Sequence, residues 1–102
     1  MNIYTYNYQT QQWDKDNKIS YNCWVSPCGE VFNCEAHEVE AEYIVNQFFG
    51  EEMLYYGDFL IEKGWVKFTT SFMSDLYEEQ GLYDNLTDEQ LQVYQQYFDF
   101  NR

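Results

Sequence analysis

The stretch from Cys23 to Ile44, CWVSPCGEVFNCEAHEVEAEYI, holds every cysteine of the chain (Cys23, Cys28, Cys34) and its only histidine, His37. Its hydrophobic period changes midway, and that change decides the fold. Ser26-Pro27-Cys28-Gly29 has proline second and glycine fourth, which suits a tight turn, so residues 18–26 and 30–34 read as a β-hairpin. With Pro27 and Cys28 at the turn centre, Val25 is expected opposite Glu30 and Cys23 opposite Phe32. From Ala36 the period becomes helical. Ala41, Ile44, Val45 and Phe48 stand at i, i+3, i+4 and i+7, with His37 one turn earlier on the same stripe, and Gly50 supplies a stop. A helix is predicted over 36–49.

Upstream, residues 2–13 alternate, with Tyr4, Tyr6 and Tyr8 on one face and Ile3, Thr5 and Asn7 on the other, which reads as a strand. The polar cluster Asp14-Lys15-Asp16-Asn17 reads as the turn into the hairpin. Downstream, residues 51–63 read as helix broken near Gly57 and ended by Gly64. Trp65 to Thr70 reads as a short strand and Ser71 to Gln80 as a helix stopped at Gly81. Thr87 is the predicted cap of the last helix, with Gln90 completing a capping box and Leu86 and Leu91 at the staple positions. Leu91, Tyr94 and Phe98 form its expected inner stripe. A chain of 102 residues is expected to be one domain, 1–102, with a β meander over 1–34 and a mainly helical remainder. The expected class is α+β: an antiparallel sheet of three or four strands packed by three or four helices.

The spacing Cys23-x4-Cys28-x5-Cys34-x2-His37 has the right number and type of donors for structural zinc. Strand geometry opposes it, because in the expected hairpin Cys23 and Cys28 lie roughly 13–16 Å apart at about 3.3 Å per residue. The alternative is core packing, with Tyr21, Cys23, Val25, Phe32 and Cys34 on one apolar hairpin face and the free thiols acting as small hydrophobes. No cofactor is expected. His37-Glu38-Val39-Glu40-Ala41 starts like the HExxH zinc-protease pattern, but Ala41 replaces the second histidine. Glu35 and Glu38 would raise the Cys34 pKa and so oppose a Cys34–His37 nucleophile pair. There is no P-loop, GxGxxG or GxSxG. These absences point away from an enzyme.

Charge is the strongest functional feature. Eighteen acids against five bases give a net charge of −13, beside an aromatic content of 22% that argues for a folded domain. Such a chain repels nucleic acid and anionic membranes and attracts basic surfaces. The acids are unevenly placed. Residues 1–34 hold three acids and two lysines, residues 35–62 hold eight acids and no base, and residues 75–99 hold seven acids and no base. Glu35, Glu38 and Glu42 fall at i, i+3 and i+7 on one helix stripe, where like charges repel by about 0.2–0.5 kcal/mol per pair. Glu51, Glu52, Asp75, Glu78 and Glu79 extend the acidic surface, and Tyr55, Tyr56, Tyr77 or Tyr83 offer aromatic anchors for an interface. Duplex DNA carries about one charge per 1.7 Å, so mimicry of its charge requires two acidic elements side by side. The N-terminus lacks the basic start and apolar run of a signal peptide, and no apolar run reaches membrane-spanning length. A reducing cytoplasm is therefore expected.

Trp24-Val25-Ser26-Pro27 with Gly29, His37 with Ala41, and Gly64-Trp65-Val66 form a pattern, W-V-S-P-x-G … H-x-x-x-A … G-W-V, that resembles small uncharacterised phage and mobile-element proteins. The resemblance spans about 24–66 and carries over no catalytic residue. It implies a bacterial host cytoplasm. It also sets the chain beside small acidic phage inhibitors of bacterial defence, such as anti-CRISPR proteins, which resemble nucleic acid in charge. The expectation is a non-enzymatic inhibitor of a basic nucleic-acid-handling host protein, such as a CRISPR nuclease, acting as a monomer or small homo-oligomer. The alternatives are a structural or assembly homo-oligomer and a small zinc-binding protein.

Overall fold

The computed structural model describes residues 2–20, 22–34, 39–68 and 85–100, with only the backbone of Val39 and of residues 97–100. The described elements are β1 (Ile3–Asn7), β2 (Gln12–Asp16), β3 (Cys23–Val25), β4 (Val31–Asn33), α1 (Val39–Phe48), α2 (Tyr56–Glu62), β5 (Val66–Phe68) and α3 (Asp88–Phe100). The class is α+β. The sheet has five strands in the order β2-β1-β4-β3-β5, and it is mixed. β1 runs parallel to β4, with Ile3 beside Val31, Tyr4 beside Phe32 and Thr5 beside Asn33. The expected antiparallel meander is therefore corrected: two hairpins lie side by side with parallel inner strands. The expected helix over 71–80, the end of the strand over 65–70, and the side chains of Tyr21 and Phe98 fall outside the described residues.

The expected single strand over 2–13 is a hairpin. Asn7 pairs with Gln12 and Ile3 with Asp16, which leaves Tyr8 to Gln11 as a four-residue loop. The turn contains neither glycine nor proline. The Asn7 side-chain oxygen instead accepts the backbone N–H groups of Gln9 (2.9 Å) and Thr10 (3.2 Å), and the Gln11 N–H reaches the Asn7 carbonyl at 2.8 Å. This side chain imitates a backbone turn and holds Gln11 at φ 58. The supposed turn cluster at 14–16 becomes edge strand β2. Thr5 Oγ1 donates to Asp16 Oδ2 at 2.7 Å and Asn7 Nδ2 donates to Asp14 Oδ2 at 3.0 Å. Charge on an outer strand blunts edge-to-edge pairing.

The β3–β4 register is one residue from expectation. Val25 faces Val31, Trp24 faces Phe32 and Cys23 faces Asn33. Ser26 N–H donates to Glu30 O, Gly29 N–H donates to Ser26 O (both 2.9 Å), and Glu30 N–H donates to Ser26 Oγ at 3.0 Å. The loop is thus three residues, closed by Gly29 at φ 85, the usual route by which a left-handed glycine adds one residue to a tight hairpin. A one-residue slip exchanges faces. Cys23, Val25 and Val31 point to one side of the sheet, while Trp24, Phe32 and Cys34 belong to the other. The single apolar hairpin face is replaced by two buried faces, which explains why β3 and β4 are buried at every position.

Each face has its own helical cover. Ile3, Cys23, Val25, Val31 and Phe68 pack with Val93 and Tyr94 of α3, and Phe68 meets Tyr94 edge to face at 5.3 Å. On the other side Trp24, Phe32 and Trp65 pack with Ala41, Ile44 and Val45 of α1 and Leu60 of α2. The α3 capping box forms as predicted. Thr87 N–H donates to Gln90 Oε1 (3.0 Å) and Gln90 N–H donates to Thr87 Oγ1 (3.1 Å). The Thr87 hydroxyl also donates to Pro27 O at 2.9 Å, and Gln90 Nε2 donates to Gly64 O at 2.8 Å. The box therefore ties α3 to the hairpin tip as well as starting the helix. Its inner stripe includes Gln90, Val93 and Tyr94, with Leu91 half-buried. Gly50 and Gly64 follow α1 and α2 as stops, with the Gly50 N–H on Val45 O and the Trp65 N–H on Leu60 O. Gly57 does not break a helix; it lies in the first turn of α2, against the Trp24 ring. Among the described residues no helix is long and apolar enough to cross a membrane.

Candidate functional site

The cysteines are not brought together. Cys23 is sealed in the α3-side core, Cys34 in the α1-side core, and Cys28 is exposed at the hairpin tip. Burial pushes the Cys23 thiol well above its ordinary pKa. Burial, then the Glu40 carboxylate, pushes Cys34 up to about 12. Both stay as thiols at neutral pH, and it is the thiolate that ligates metal or attacks a substrate. No group of three or more His, Cys, Asp or Glu among the described residues could hold a metal ion. His37 lies outside those residues.

Of the acids singled out for partner binding, Glu35, Glu38, Asp75, Glu78 and Glu79 lie outside the described residues, as do Tyr77 and Tyr83. Glu42 is half-buried on α1, and Glu51 and Glu52 are exposed on the connection between α1 and α2. Asp58 and Glu62 of α2 are exposed with them. Glu40 departs from the solvated pattern, being 1% exposed. It sits in the first turn of α1, where a carboxylate complements the helix dipole, and its Oε1 accepts the Tyr8 hydroxyl at 3.0 Å. The two tyrosines proposed as anchors differ. Tyr55 is 71% exposed. Tyr56 is half-buried against the α1-side core, and its hydroxyl oxygen accepts the Met53 N–H at 3.5 Å.

The residue beside them that sequence reasoning missed is Leu54, 88% exposed, with Ile61 of α2 at 60%. Leu54, Tyr55, Tyr56, Gly57 and Asp58 line a small depression of about 120 Å³. An apolar tip thus lies beside Asp58 and follows exposed Glu51 and Glu52 in the chain. The nearest downstream bases are turned to aromatic rings: Lys63 Nζ lies 5.3 Å from the Phe59 centroid and Lys67 Nζ 5.7 Å from that of Trp24. Helical spacing carries no signal for Leu54, because it lies in a connection.

A second concavity lies where the β1–β2 hairpin meets α1. Its volume is about 700 Å³. Tyr6, Tyr8, Trp13 and Tyr43 form its aromatic walls, and the amides of Gln11, Gln12, Asn46 and Gln47 supply its polar groups. Tyr6 stacks on Tyr43 with centroids 4.1 Å apart and 14° between planes. Tyr8 and Trp13 stand at 76° and 71° to Tyr6, each 5.2 Å away. The alternating tyrosines of β1 were legible in sequence. Their meeting with Gln11, Gln12 and Trp13 was not, because it depends on the hidden hairpin turn.

Comparison of the chain with protein-family models, with curated proteins and with solved structures finds no match in any of the three.

Proposed function

We propose that the chain is a non-enzymatic acidic binding protein that occupies a basic surface of a nucleic-acid-handling protein, in the manner of the small acidic phage inhibitors it resembles. The observation that carries the reading is the tip of the α1–α2 connection. Leu54 and Tyr55, 88% and 71% exposed, are flanked in sequence by exposed Glu51, Glu52, Asp58 and Glu62, in a segment without a single Lys or Arg from residue 35 to residue 62. An exposed apolar and aromatic segment flanked in sequence by acids of one sign suits a steered interface: the acids guide encounter and choose the partner, and the anchors, once buried in it, slow its release. α1 packs against α2, but Glu40 of α1 is buried and Glu42 half-buried, so among the described residues the exposed acids that support the reading are those of the connection and of α2.

The test uses purified CRISPR nucleases and restriction nucleases, each loaded with fluorescent duplex DNA and titrated with the protein at low and high salt. The reading requires displacement of DNA from at least one nuclease, lost at high salt and weakened about tenfold or more, some 1.4 kcal/mol, by Glu51→Lys with Glu52→Lys. Failure to displace DNA from any of them, or displacement indifferent to both salt and charge reversal, overturns it.

A further inference from the structure

The groove between the β1–β2 hairpin and α1 is chemically unlike the rest of the surface. The chain carries 18 acids, yet among the described residues none lines this groove; the described lining is aromatic and amide. We propose that it is a binding site for a neutral oligosaccharide.

Four arguments converge. A sugar offers two kinds of surface, a face of C–H groups and a rim of hydroxyls. The C–H face is complementary to the electron-rich face of an aromatic ring. Each rim hydroxyl both donates and accepts, which matches a side-chain amide carrying one carbonyl and two N–H donors. The groove holds four of each kind of side chain.

The protonation pattern favours a sugar over the other common guest of aromatic grooves, a proline-rich segment in the polyproline helix. Such a segment presents backbone carbonyls and, at proline, no N–H, so its host must donate. The Tyr8 hydroxyl donates to Glu40 Oε1 at 3.0 Å, which withholds that proton from a guest. The indole N–H of Trp13 is buried, out of a guest's reach. Two aromatic donors are thus withheld from a carbonyl-only guest, which would also leave the carbonyls of the lining amides without a donor, whereas sugar hydroxyls both donate to and accept from those amides.

The walls are also preformed. The Tyr6–Tyr43 stack and the two rings across it are fixed by contacts between themselves, and Trp13 is held edge to face on core residue Phe32 at 5.1 Å. Little ordering remains for a ligand to impose. A volume of about 700 Å³ lies within the range of small-molecule sites, about 300–1,000 Å³. The net charge of −13 disfavours sulfated, phosphorylated or uronic sugars, so the oligosaccharide carries no acidic group. This site shares no residue with the Leu54–Tyr55 tip and stands or falls separately from it.

The experiment titrates the full chain, labelled with nitrogen-15, with cellotetraose, maltotetraose, chitotetraose and mannotetraose, and in a separate arm with a ten-proline peptide. The expected result is saturable binding of at least one tetrasaccharide at millimolar concentration, shifting the side-chain amide signals of Asn46 and Gln47 and quenching tryptophan fluorescence. Asn46→Ala with Gln47→Ala, both exposed on α1, should weaken it about tenfold or more without changing the melting temperature. Gln12→Ala on edge strand β2 is the second variant, which leaves α1 intact. Silence of all tetrasaccharides, binding unchanged in both variants, or binding of the ten-proline peptide alone overturns the proposal.

Discussion

Asn33 Nδ2 donates to the Thr5 hydroxyl at 2.9 Å across the parallel β1–β4 pair. The same amide donates to Lys18 O at 2.9 Å, and its oxygen accepts the Ser20 N–H at 3.0 Å. One buried side chain therefore ties the two hairpins to each other and to the segment that connects them. Asn33→Ala removes three bonds and leaves their partners short of theirs. The expected loss is about 1–3 kcal/mol, since three part-buried hydrogen bonds are lost together. Urea unfolding should show a lower midpoint with an unchanged slope. A loss below about 0.5 kcal/mol, the scale of an ordinary surface substitution, would deny Asn33 this role.

Gly29 couples the hairpin tip to α3. A Cβ there would lie 3.0 Å from Glu89 Cβ, and the backbone φ is 85. Gly29→Ala should cost about 2–3 kcal/mol: about 1–2 for the left-handed conformation, and the remainder for pushing α3 away. Gly50→Ala isolates the first part, because its φ is also positive and nothing lies within 4 Å. Equal losses in the two variants would show that the contact with α3 is unimportant.

The contrast between these glycines also shows what could be read in advance. Local chemistry was legible. Thr87 with Gln90 spells a capping box, Gly50 ends α1, and the turn Ser26–Gly29 was found where it was expected. Whatever depended on a distant partner was not. The loop at Tyr8–Gln11 is held by the Asn7 side chain instead of by glycine or proline, so one alternating run concealed a hairpin. A left-handed Gly29 lengthened the second hairpin by one residue and moved Cys23 to the face opposite Phe32. The parallel β1–β4 pair joins residues about thirty apart and leaves no local trace. In the acidic surface, Glu51, Glu52 and Tyr55 stand exposed as expected, but Glu40 is buried under Tyr8. Leu54, the most exposed of the large hydrophobic residues described, was invisible to any periodic pattern.

The thiols should report the two cores. In the native protein Cys28 should react quickly with a disulfide reagent, while Cys23 and Cys34 react only on unfolding. Their pKa values are raised, so the folded state holds protons that the unfolded state releases. The stabilisation from keeping them neutral is complete below the ordinary thiol value of 9.0 and is lost as pH rises from there towards about 12 for Cys34. The midpoint of urea unfolding should accordingly fall above about pH 9, and Cys34→Ser or Cys23→Ala should change the steepness of that fall. Rapid reaction of two or more thiols at neutral pH would contradict the burial.

The Leu54–Tyr55 tip separates binding from folding. Leu54 and Tyr55 are mostly exposed, so Leu54→Ser and Tyr55→Ser should leave stability within about 0.5 kcal/mol of the parent. Tyr56, packed against the α1-side core, should instead lose about 1–3 kcal/mol on replacement by alanine. If the tip is the centre of the interface, the first two substitutions slow nothing in folding yet weaken partner binding about tenfold or more through faster dissociation, whereas Glu51→Lys acts mainly on the association rate and on its salt dependence. Light scattering on the same variants separates an assembly role. A homo-oligomer held by this tip would fall to monomers in Leu54→Ser, and its assembly would strengthen with added salt as the repulsion between copies of charge −13 is screened. Binding to a basic partner would weaken under the same salt, so the sign of the response to ionic strength distinguishes the two roles of one surface.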